Sequence, residues 1–223
     1  MGSPYTKIYQ MPEDRYLKIT DGAECLRGHE GDNERWRAFI ESCFPKIVDI
    51  DSVLRDLPWY RKAQNSDAVI CSFVKRLVTD NFEKIHIDPG LIYSVWDAYE
   101  EDRLDPPTQF LRALDRVSRD VEDYDRGVLL RKLLLDEENT GWSRHQEARP
   151  FPFRPTDCFE AILTADEVIE LQSACADGGL IPGIIEAIDA GPYFEKRDLM
   201  MIRDMLLKLG KNRTYLYSQA WAT

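Results

Sequence analysis

The stretch "EARPFPFRP", residues 147–155, sets Pro150, Pro152 and Pro155 around Phe151 and Phe153. Proline fixes φ, removes an amide donor and biases the preceding residue toward extended backbone, so no helix runs through it. Three readings follow: a flexible hinge, a displayed polyproline-type ligand for an aromatic groove, or a strap lying on the fold. Side chains two apart in an extended chain point the same way, which sets both phenyl rings on one side. That much apolar surface favours a strap docked on helices. Residues 140–155 are therefore expected to separate a larger part, 1–139, from a C-terminal helical subdomain, 156–223, packed on the first.

On both sides of the strap the apolar residues recur every three or four positions. In "DNERWRAFIESCF" (32–44), Trp36, Phe39, Ile40, Cys43 and Phe44 form one stripe, with Asp32 as N-cap and Pro45 as stop. "SDAVICSFVKRLVTDN" (66–81) repeats the pattern, and "DPGLIYSVWDAYEED" (88–102) opens on an Asp-Pro helix start. The longest clean pattern is "DPPTQFLRALDRVSRDVEDYD" (105–125). There Phe110, Leu111, Leu114, Val117, Val121 and Tyr124 are expected on one stripe, with Asp115–Arg119, Arg116–Asp120 and Glu122–Arg126 pairs opposite. Gly127 is expected to mark a bend or a new helix. Beyond the strap, "TDCFEAIL" (156–163) reads as helical. Thr164 with Glu167 makes a capping box, and the helix running to Leu209 ends on Gly210. "TYLYSQAWAT" (214–223) reads as an aromatic tail tucked onto the fold.

Strand signals concentrate near the start. "YTKIYQM" and "RYLKIT", joined by "PED", predict a β-hairpin within the first twenty residues, and "EKIHI" (83–87) predicts a third short strand. The expected fold class is thus mainly α, a compact multi-helix body with a small N-terminal β element.

Composition narrows the functional classes. The 223 residues carry 29 Lys and Arg against 40 Asp and Glu, a net charge of −11. Such a chain repels a phosphate backbone, which argues against nucleic-acid binding. No apolar run approaches the length of a membrane span. The five cysteines are scattered, with no CxxC pair, and Cys43, Cys71 and Cys175 fall on apolar faces. This points to reduced thiols in a cytoplasmic setting rather than to disulfides or a zinc site.

Catalytic signatures are sparse. There is no phosphate-binding glycine loop, no GxSxG elbow, and only His29, His86 and His145 to serve a triad. Two pairs define the enzyme alternative. Asp49 and Asp51 could hold a divalent ion, although Asp51 reads well as an N-cap, and Cys25 with His29 resembles half a metal site. Neither pair has the further ligands a metal centre needs, so no metal or cofactor is expected.

Charge distribution is more telling. Residues 97–138 hold thirteen acids and seven bases, over half of the chain's imbalance, whereas residues 195–213 hold six bases and three acids. Clustered carboxylates with aromatics among them suit docking of a basic protein, the charge speeding encounter and the rings supplying affinity. The candidate partner-binding residues are Asp97, Tyr99, Glu100, Glu101, Asp102, Asp105, Glu122 and Asp123. The expected function is an acidic, cytoplasmic interaction module, such as an immunity-type inhibitor of a basic toxin or nuclease. A regulatory or scaffold subunit of a larger assembly is the remaining alternative.

Overall fold

The computed structural model describes residues 6–29, 31–55, 66–87, 109–134, 151–153, 159–188 and 194–220. Four strands, β1 (Thr6–Pro12), β2 (Glu83–Ile87), β3 (Phe159–Leu163) and β4 (Thr214–Ala220), are embedded in a mainly helical chain. The helices are α1 (Glu13–Glu24), α2 (Asn33–Cys43), α3 (Ile50–Arg55), α4 (Ser66–Asn81), α5 (Gln109–Val117), α6 (Val121–Leu133), α7 (Ala165–Ser173), α8 (Leu180–Ala187) and α9 (Phe194–Leu209). The mainly-α expectation and the strand at 83–87 hold. The hairpin does not: β1 forms, but its second arm is helix α1. Tyr16, Ile19 and Ala23 are buried at spacings of three and four, Glu13 and Asp14 occupy the first turn, and Leu17 faces out. That three-and-four repeat outweighs the apparent alternation of "RYLKIT".

The chain forms two compact units, residues 11–83 with 144–157, and residues 1–10, 84–143 and 158–223. These boundaries differ from a split at 140–155, because the mid-chain helices share one core with the C-terminal elements. Phe110, Leu114, Leu130 and Leu133 pack in the same cluster as Val168, Ile184, Leu206 and Leu216.

In the first unit α1 packs on α2 and α4. Its core is a chain of edge-to-face rings: Trp36 with Phe39 and Phe73, Phe39 with Phe44, and Phe44 with Phe82. Asp32 caps α2 as expected, accepting from the amides of Glu34 and Arg35. Phe151 and Phe153 of the proline stretch are both buried here. Phe153 stacks on Tyr16 at 5.5 Å, and the Arg27 guanidinium lies 4.6 Å from the centre of the Phe151 ring. Arg27 also donates to Glu24 and Asp67, the first of α4's acids. Residues 151–152 form a turn with a cis Phe151–Pro152 bond, a departure from a fully extended path.

In the second unit the sheet order is β2-β1-β4-β3, and β3 pairs antiparallel with β4, Ala161 opposite Ser218. Both of these strands escaped the sequence reading, which gave 156–163 to a helix and 214–223 to a tail. Alternation along β4 sends Leu216 into the core and lets the Ser218 hydroxyl donate to the Leu133 carbonyl at 2.7 Å. The other face carries Tyr217, stacked on Tyr9, and Gln219, whose amide donates to Glu160 at 3.4 Å. Helices α5 and α8 approach closely because Gly183 has no side chain: a Cβ there would sit 2.6 Å from Val117 Cγ1. The Thr164–Glu167 capping box and the left-handed Gly210 after α9 are present.

Candidate functional site

The clean periodic stretch of the mid-chain breaks into two helices at Ser118–Asp120, and this break creates the candidate surface. The Ser118 hydroxyl turns back to donate to the Leu114 carbonyl at 2.8 Å, and Asp120 starts a new helix by accepting from the Asp123 amide at 2.9 Å. Asp123 answers by accepting from the Arg119 amide at 3.3 Å. Short polar side chains that bond nearby backbone compete with helix continuation in this way. Gly127, expected at a bend, instead lies inside α6, buried against Leu114.

The new register turns α6 about its axis. Its buried residues are Gly127, Leu130 and Leu133. Val121 and Tyr124, expected on the buried stripe, therefore face out, 75% and 66% exposed. Half-buried Val128 continues this outward stripe, three-and-four spaced with them. Asp120, Glu122 and Asp125 are exposed on and before α6, and Asp115 is exposed on α5, as are Arg112 and Arg116, with Arg119 exposed at the break. Single exposed apolar side chains are ordinary, but a helix that is apolar on its buried face and again on its outward face has a second surface to cover.

The platform beneath is fixed. Arg126 donates to Glu170 of α7 at 2.8 Å and to Glu122 at 3.2 Å, with Asp123 at 3.8 Å. The bond to Glu170, followed by the nearby negative charges, holds the guanidinium above its ordinary proton affinity. Lys132 donates to Glu167 at 2.6 Å, so the acid that closes the α7 capping box also ties α6 to α7. Of the three expected pairs, Glu122–Arg126 forms, while the helix break takes Asp115–Arg119 and Arg116–Asp120 out of helical register.

Among the expected partner-binding residues, Glu122 stands exposed on this face and Asp123 is half-buried in the cap. Asp97, Tyr99, Glu100, Glu101, Asp102 and Asp105 lie outside the described residues. The sequence reading placed Val121 and Tyr124 on the buried stripe and did not name Asp115 or Asp125 among the partner-binding residues. The signal that would have found them is the "SRDVED" start at 118–123, where Asp120 is an N-cap with an acid three residues on.

Of the residues of the enzyme alternative, Asp49 and Asp51 are engaged locally. Asp49, not Asp51, caps α3, accepting from the Ser52 amide at 2.9 Å, because it directly precedes the helix. Asp51 sits in the first turn and pairs with Arg37. Cys25 follows the last turn of α1, and the His29 amide donates to the Leu26 carbonyl. Among the described residues no group of three or more His, Cys, Asp or Glu side chains is placed to hold a metal ion. Burial raises the Cys43 and Cys175 thiols to about 11, and Cys71 is also buried, whereas Cys25 is exposed. Burial first, then the charges of Lys7 and Lys84, lowers the His86 imidazole below its usual range. No helix among the described residues is long and apolar enough to cross a membrane.

No protein-family profile matches the sequence, and neither curated proteins nor solved structures yield a match.

Proposed function

We propose that the protein is an acidic interaction module that docks a basic protein on the outward face of α6. The observation that carries this reading is the exposure of Val121 and Tyr124 on one face of a helix whose own exposed carboxylates include Glu122 and Asp125, with Asp120 exposed at its start. An interface needs apolar or aromatic anchors for affinity and complementary charge for encounter, and this face offers both. The ion pairs to α7 hold it in place before binding, which limits the ordering cost of association. The reading extends to an immunity-type role in a reducing, cytoplasmic setting, in which the basic partner is a toxin or nuclease silenced by being covered. The four free cysteines among the described residues suit such a setting.

A photo-reactive amino acid placed at Val121 or Tyr124, with a control at exposed Ile169 on α7, tests the reading in extract of the native host. We expect one predominant product with a basic protein from the α6 positions, lost when salt is raised before irradiation. The same products from Ile169 as from α6, or an acidic partner insensitive to salt, would contradict it.

A further inference from the structure

We draw no further inference here: the strongest candidate, the buried polar patch of Glu160 and Gln219 beside the stacked Tyr9 and Tyr217 on the sheet face opposite Leu216, is closed to solvent, with none of the four side chains more than 3% exposed, and nothing in the structure points to a ligand for Gln219 Oε1, which no donor meets.

Discussion

Replacing Phe153 with alanine is expected to destabilise the unit containing α1, α2 and α4 by about 3–5 kcal/mol. The ring is 1% exposed and stacked on Tyr16, so truncation removes both a large transfer term and an aromatic pair, and leaves a cavity at the end of the strap. Phe153→Leu refills most of that volume and should cost less than half as much. Equilibrium denaturant unfolding, followed through the tryptophans of this unit, checks both variants. A loss below about 1 kcal/mol for Phe153→Ala would mean the strap contributes little and behaves as a hinge.

Removing the exposed anchors of α6 should have the opposite profile. Val121→Ser with Tyr124→Ala is expected to leave stability within about 0.5 kcal/mol of the wild type, because neither side chain is in the core. Affinity for the basic partner should fall by about 2 kcal/mol or more, roughly thirtyfold, since aromatic anchors at the centre of an interface carry most of its energy. Calorimetric melting and titration of the partner, on the same preparations, read the two effects separately. A large drop in melting temperature with unchanged affinity would make these residues structural.

The contrast between those two predictions follows from what the sequence discloses. Phe151 and Phe153 could be read as docked because rings flanking a proline have no helical or sheet partner of their own and must find one. Long helices with caps were legible for the same local reason: Asp32, Thr164 and Gly210 satisfy backbone groups within a few residues of themselves. The strands β3 and β4 were not. "FEAIL" contains good helix formers, and it is pairing with a strand more than fifty residues away, Leu163 opposite Leu216, that makes it extended. "TYLYSQA" does alternate, yet with Leu216, Tyr217, Ser218 and Gln219 all buried it lacks the polar face that marks a half-exposed strand.

The candidate surface was legible in charge but not in orientation. The surplus of acids in the mid-chain is visible by counting. Which way Val121 and Tyr124 point depends on three residues, Ser118, Arg119 and Asp120, that interrupt the helix and shift its register. A continuous helix would have kept both side chains on the Phe110–Val117 stripe and out of reach of any partner.

The most direct test of the α6 docking face is the association rate of the captured basic partner with a variant carrying Asp115→Lys and Asp125→Lys. Both carboxylates are exposed and lie outside the caps and ion pairs that hold α6. The account predicts a rate lower by about tenfold or more in low salt, with the difference shrinking as salt rises. Equal rates for variant and wild type in both salts would contradict it.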